Sequence, residues 1–309
     1  AQASSLHWFN EKKPAGWKPA LQINPFRGHL NYIFQHLFYQ LYEKEFPMAF
    51  NIAVAGKGGT GKSTLSALMV RYITEELGKP VSAVDADPNA SLGSLLGLHV
   101  QSTVADLRDD IVEKKVDFSG MSKDRYIEYA IEESIIEKDK FDLLTMGRPE
   151  GPKCYCYVNN LLRKYLDKVG TTYPFVVTDN EAGMEHLSRR TTNNIDLLMI
   201  VSEPTIVGAL TMQRIIQLAD SLPITLRKKI CVMNRVPRNG IHENVQQKLD
   251  SLGIEVSAIL PFDEEVYNAA ASGESVFSVS RENALYTKLR DFLQKQLPIS
   301  MFEKTMGDC

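Results

Sequence analysis

The sequence is poor in the features that mark secreted, membrane-spanning or nucleic-acid-coating chains. It has four cysteines in 309 residues. Cys154, Cys156, Cys231 and Cys309 are too few for a disulfide scaffold, so a reducing cytoplasm is the expected compartment. An excess of either charge is also missing: the formal net charge is −3, which argues against a basic nucleic-acid tract or a polybasic membrane patch. No apolar run reaches the ~18 residues of a membrane span. No charged region followed by an apolar core marks the amino terminus, so no secretory signal is expected. Internal repeats and low-complexity stretches are lacking too. The remainder, 44% hydrophobic and 24% charged, suits one domain of about 250 residues with an appendage.

Composition shifts near Met48. Both tryptophans, Trp8 and Trp17, lie before it. There Leu30, Ile33, Phe34, Leu37, Phe38 and Leu41 follow i, i+3, i+4 spacing, which predicts an amphipathic helix within residues 29–45. Residues 1–47 read either as a docking extension or as a leader or appended segment, and residues 48–309 as one domain. From Phe50 onward strands and helices alternate. The expected strands are Phe50–Ala55, Val81–Val84, Asp142–Met146, Phe175–Thr178, Leu197–Val201, Ile230–Met233 and Val256–Leu260. A helix is expected over Lys62–Leu77, ended by Gly78 in a left-handed conformation. Lys123–Glu137 carries a charged helical pattern. The alternation predicts an α/β fold: a mostly parallel sheet with helices on both faces and ligands at the carboxyl ends of the strands.

The motifs fall at those ends. Gly56-Lys57-Gly58-Gly59-Thr60-Gly61-Lys62-Ser63 matches G-x-x-x-x-G-K-[ST] between a strand and a helix. Its glycines let backbone N–H groups turn inward around phosphate oxygens. Lys62 reaches the β- and γ-phosphates, the Ser63 hydroxyl takes Mg²⁺, and the helix N-terminus adds its positive dipole end. Gly58, Gly59, Thr60, Gly61, Lys62, Ser63 and Thr64 are therefore the expected phosphate-binding residues, and MgATP is the expected ligand.

Lys57 makes the loop K-G-G-x-G-K-[ST]. This resembles the deviant Walker A of the family that includes the nitrogenase iron protein and the septum-site ATPases. The resemblance implies that Lys57 crosses a dimer interface to the partner's nucleotide, in the manner of an arginine finger. It makes Asp87, in Asp85-Ala86-Asp87-Pro88-Asn89, the carboxylate that orients the attacking water. Asp179, in Asp179-Asn180-Glu181-Ala182-Gly183, would hold Mg²⁺ through water. For either acid alone, capping a helix after a strand is the competing reading. Asn234, with Arg235 beside it, and Pro261 match the positions that border the adenine, although Asn and Pro after strands are also ordinary turn residues.

Cys154 and Cys156 sit two residues apart after Gly151 and Pro152 and before a helical pattern. One chain offers two soft ligands; a two-fold dimer offers four, enough for a closed tetrahedral site. A C-x-C taken alone also fits incidental small residues or a redox pair. Cys231, in an apolar strand, is expected to be inert core. With D-A-D-P-N-A, G-R-P-E-G-P-K-C-Y-C-Y and D-N-E-A-G-M-E-H-L, the chain is similar to the carbon monoxide dehydrogenase and acetyl-CoA synthase maturation ATPases. That resemblance runs from about Met48 to beyond Pro261. It implies a cytoplasmic, ATP-dependent homodimer that assists nickel insertion into a client enzyme, with Ni²⁺ or Zn²⁺ held between subunits by Cys154 and Cys156. It implies no nucleic-acid or membrane partner. Two alternatives stay open: an ATP-gated electron donor with an intersubunit iron–sulfur cluster, and a membrane-associated positioning ATPase. The latter would need a carboxyl-terminal membrane helix, for which the Leu285, Leu289, Phe292, Leu293 and Leu297 stripe is the candidate; packing against the sheet is the competing reading.

Overall fold

The computed structural model describes residues 49–106, 120, 125, 129, 131–148, 165, 169, 172–182 and 194–298, all within the unit Pro47–Cys309. The predicted amino-terminal helix, the paired thiols Cys154 and Cys156, Gly183, Cys309 and residues 123, 124, 126–128 and 130 of the stretch Lys123–Glu137 lie outside these residues.

Among the described residues eight strands form one sheet: β1 (Phe50–Gly56), β2 (Val81–Ala86), β3 (Ile136–Glu137), β4 (Phe141–Thr145), β5 (Phe175–Asn180), β6 (Asn194–Ser202), β7 (Thr225–Val236) and β8 (Ala258–Pro261). Their order is β3-β4-β2-β5-β1-β6-β7-β8. All pairings are parallel except β3–β4. The antiparallel β3 corrects the sequence expectation. Ile136 and Glu137 close the predicted helical stretch, but they return on β4 as a two-residue strand, too short to carry a periodicity of its own.

Labelled helices are α1 (Lys62–Glu75), α2 (Leu92–Leu95), α3 (Ile206–Ser221), α4 (Glu243–Ser251), α5 (Glu264–Ala271) and α6 (Ala284–Gln296). Gly78, at φ 62°, turns the chain away after α1, because a left-handed residue costs glycine nothing in Cβ contacts.

Side chains along a strand alternate between faces, and the core divides accordingly. Ile52 and Val54 of β1 pack with Leu65, Leu68 and Met69 of α1 and with Leu289 and Leu293 of α6. Ala53 and Ala55 face the opposite way, toward Ala209 and Met212 of α3 and Leu249 of α4. Helices thus cover both faces, and α/β is the observed class. The stripe on α6 is core: Leu285, Leu289, Leu293 and Leu297 are buried, and Phe292 packs against them. Among the described residues no helix is long and apolar enough to cross a membrane.

Arg71 anchors α1 to the chain before α6. Its side chain is 2% exposed, yet its guanidinium donates to the Val276 and Val279 carbonyls at 2.9 and 2.8 Å. It also pairs with Glu75 and lies 4.4 Å above the Tyr286 ring. A buried cation is tolerable because its donors are used and an aromatic face supplies the rest. The helix that begins at the P-loop is thereby fixed at its far end.

Candidate functional site

β1 ends in the P-loop, and α1 starts at Lys62. Gly61 has φ 87°, and a Cβ there would stand 2.5 Å from Asn234 Nδ2. Both facts demand glycine, and together they let the loop pass close to β7. Within the loop, Thr60 Oγ1 and Lys62 Nζ donate to the Lys57 carbonyl at 2.9 and 3.4 Å. Lys62 is buried, whereas the Lys57 side chain is exposed.

The acids arrive from neighbouring strands. Asp85 of β2 and Asp179 of β5 are register partners, so both carboxylates stand on one face at the carboxyl end of the sheet. Asp87 follows β2 and is 8% exposed. Its Oδ1 accepts from the backbone N and Nδ2 of Asn89, both at 2.9 Å, which fixes its orientation. Asp179 Oδ1 accepts from Ser66 Oγ at 3.2 Å. Burial pushes Asp179 up to about 6, against the Ser63 hydroxyl and the Lys62 ammonium, which pull it back. Burial, followed by the charge of Asp179, pushes Asp85 up to about 7.

Asp87 borders a cavity of about 750 Å³ lined also by Gly58, Lys62, Ser63, Asn89 and Glu181, among others. The residues fit a magnesium ion. Asp179 Oδ2 is fully buried and accepts no hydrogen bond among the described residues, and Ser63, which lies beside the Asp179 carboxylate, lines the cavity together with Asp87. A hard cation takes oxygen ligands of this kind and keeps several waters.

A smaller pocket of about 60 Å³ continues past the loop, between Thr64, Asn234, Arg235, Pro261, Phe262 and Tyr267. Asn234 Nδ2 donates to the Thr60 carbonyl at 2.9 Å, and its buried Oδ1 has no partner among the described residues. Arg235 sits at φ 56°. From there Nη1 reaches the Gly59 carbonyl at 2.6 Å and Glu203 Oε1 at 3.3 Å. Both side chains brace the P-loop from β7.

Residues 52–276 match the model of the CobQ/CobB/MinD/ParA nucleotide binding domain. The chain belongs to that family. It is similar to an uncharacterized ATP-binding protein of Methanocaldococcus jannaschii, 36% identical over 247 residues, covering 79% of this chain and 97% of the relative. It is also similar to the carbon monoxide dehydrogenase accessory protein CooC of Rhodospirillum rubrum, 31% identical over 242 residues, covering 74% and 90%. Among solved structures, the septum site-determining protein MinD complexed with Mg-ADP from Pyrococcus horikoshii superposes with a TM-score of 0.61 at 18% identity, covering 82% of this chain and 98% of that one. The last likeness speaks for the fold.

In this P-loop family member, Lys62, Ser63 and Asp87 line one cavity, Asp179 lies beside Lys62 and Ser63, and Asn234, Arg235 and Pro261 border the adjoining pocket. Lys57 shares the loop, with its side chain turned to solvent. Sequence reasoning missed Ser66, one helical turn beyond Lys62 and so on the same face of α1. It also left Asp85 without a role, although two-residue spacing from Asp87 would put both on one side of an extended chain. Glu203, the ion-pair partner of Arg235, carries no sequence signal.

Proposed function

We propose that this chain is a magnesium-dependent ATPase that acts as a cytoplasmic homodimer and assists nickel insertion into a client enzyme's metal cluster. The observation that carries the ATPase reading is that Lys62, Ser63 and Asp87 line one polar cavity, with the buried Asp179 carboxylate beside Lys62 and Ser63 and its Oδ2 without a hydrogen bond among the described residues.

In this reading the loop amides and Lys62 bind the phosphates, and Ser63 and Asp179 hold Mg²⁺, the latter through water. When bound, Mg²⁺ would supply charge neutralisation at the phosphates. Asp87, already oriented by Asn89, orients the attacking water. Asn234 supports adenine as the base. With Nδ2 bound to Thr60, Oδ1 remains as an acceptor and calls for a donor such as the 6-amino group; guanine presents a carbonyl oxygen there. The exposure of Lys57 suits a lysine that serves the partner's nucleotide.

Nickel handling rests on other support: the likeness to CooC, named as a carbon monoxide dehydrogenase accessory protein, and the Cys154–Cys156 pair. Nickel is cargo in this scheme, bound by four thiolates from two chains. The test is hydrolysis of ATP by the purified full chain with and without Mg²⁺, alongside Ni²⁺ and Zn²⁺ titration with mass measured in solution. Mg²⁺-dependent turnover and one metal per dimer are expected. Absence of turnover in every oligomeric state removes the ATPase. One metal per chain in a monomer, unaffected by changing both cysteines, removes the shared site.

A further inference from the structure

Ser91 stands in the turn between β2 and α2 and belongs to none of the phosphate or metal motifs. Its hydroxyl donates to Ser63 Oγ at 3.0 Å. Ser63 is the P-loop hydroxyl assigned above to Mg²⁺. The same turn carries Asp87, and its other hydrogen bonds are local. Leu92 N donates to Asp85 Oδ2 at 2.8 Å, and Asn89 donates to Asp87 Oδ1 through both its backbone and its side chain. The Ser91 bond instead crosses to the P-loop, 28 residues away in sequence.

A second observation points to the same turn. Ala90 has φ 50°, a left-handed conformation that crowds a Cβ against the backbone. Such strain persists only where the surroundings hold it. Ala90 lies between the Asp87–Asn89 hydrogen bonds and the Ser91–Ser63 bond, so the turn is pinned on both sides of its strained residue.

We propose that Ser91 is a positioning residue: it engages the Ser63 hydroxyl while the site lacks metal and releases it when MgATP loads, freeing the turn that carries Asp87. This rests on the reading that the site takes MgATP. A serine oxygen has one hydrogen to give and two lone pairs to share. Once that oxygen ligates a divalent cation it is a poor acceptor, and the Ser91 hydrogen would point its positive end toward the cation. The two engagements are therefore antagonistic. Breaking one neutral hydrogen bond weakens metal loading by about two- to tenfold. Removing the Ser91 hydroxyl recovers that factor.

The test uses the full chain and the nonhydrolysable analogue AMP-PNP, titrated calorimetrically in chelator and across a range of free Mg²⁺. Ser91→Ala is expected to match the parent in chelator but to reach half of the Mg²⁺-induced tightening at about two- to tenfold lower Mg²⁺. Ser91→Thr, which keeps the hydroxyl, restores the parent midpoint. Ser91→Cys, a weak donor, falls between them and serves if the alanine variant does not fold. Hydrogen exchange over residues 88–95 of the nucleotide-free protein is expected to quicken in Ser91→Ala and not in Ser91→Thr. A parent with Mg²⁺-dependent affinity and a Ser91→Ala midpoint equal to it overturns the role of Ser91 alone. A parent without measurable affinity for AMP-PNP at any Mg²⁺ concentration overturns this role together with the ATP reading.

Discussion

The two ends of the sheet differ in how their buried polar groups are engaged. At the amino end, Ser82 Oγ and Tyr165 OH are bonded at 3.1 Å, and Tyr173 OH donates to Asp142. Asp196 accepts from the Asn51 backbone at 2.8 Å and pairs with Arg227 at 2.9 Å. These side chains reach across neighbouring strands and answer one another. At the carboxyl end, Asp179 Oδ2, Asn180 Oδ1 and Asn234 Oδ1 are buried with no partner among the described residues. Leaving a buried polar atom unbonded costs stability, so an end that gathers several of them is adapted to something other than holding itself together. At the amino end polar side chains bond one another across strands; at the carboxyl end buried oxygens without a hydrogen bond among the described residues gather beside the P-loop.

Substitutions at the carboxyl end should therefore change chemistry and binding while sparing the fold. The largest effect is expected from Asp87→Asn. A carboxylate that orients water acts mainly on the chemical step, so turnover should fall by about 10²- to 10⁴-fold while AMP-PNP affinity stays within about threefold. Equal rates for parent and variant would reduce Asp87 to a turn residue held by Asn89. Lys62→Ala comes next. Losing a charged donor to phosphate should weaken nucleotide binding by about 10- to 100-fold, read by calorimetry. Unchanged affinity would place the phosphates elsewhere.

The amino end should give the reverse pattern. Tyr173 is 9% exposed, and its hydroxyl, held in its neutral form by burial and by the Asp142 carboxylate, is a permanent donor to that acid. Tyr173→Phe removes the donor and keeps the ring. Stability should fall by about 1–3 kcal/mol, read by chemical denaturation, with AMP-PNP affinity unaltered. A loss of affinity as large as that of Lys62→Ala would break the contrast between the two ends.

How much of this was written in the sequence follows from the range of the interactions. The P-loop is contiguous, so register and context were enough to place Lys62 and Ser63, and the alternation of apolar runs gave seven of the eight strands to within a few residues. Strand ends were less legible. Asp179 and Asn180 lie inside β5 because β5 is flanked on both sides, by β1 and β2, and backbone pairing carries the ladder past the apolar run. Long-range contacts were not legible. Asn234 and Thr60 are 174 residues apart, and nothing local says that the asparagine amide braces the P-loop while its oxygen stays free. Ser91 and Ser66 were invisible for a related reason: serines are common, and only the folded geometry brings them to Ser63 and Asp179. Cys231 was legible as core, and burial pushes its thiol up to about 11, the mark of an unreactive sulfur.

A pH dependence carried by Asp85 sharpens the contrast between the two ends from the other side. Asp85 is fully buried and accepts from Leu92 N and Asp87 N. Those bonds favour its charged form, but burial and the neighbouring Asp179 outweigh them and raise it from 3.8 to about 7. A carboxyl group whose folded value is raised binds its proton more tightly in the native state than in the unfolded chain. Its contribution is therefore absent above about pH 7, grows as pH falls, and is complete below about pH 4. Other carboxylates obscure the trend in the parent alone, so the quantity to follow is the stability difference between the parent and Asp85→Asn in metal-free, nucleotide-free protein. The asparagine variant cannot titrate at this position and should carry a constant offset from its altered hydrogen bonding. Denaturation midpoints measured from about pH 8 down to about pH 4.5 should move in favour of the parent as pH is lowered. Parallel curves over that window would show that Asp85 is already ionised at low pH, with the Leu92 and Asp87 amides outweighing the Asp179 charge, and the carboxyl end would then be less strained than its unpartnered oxygens indicate.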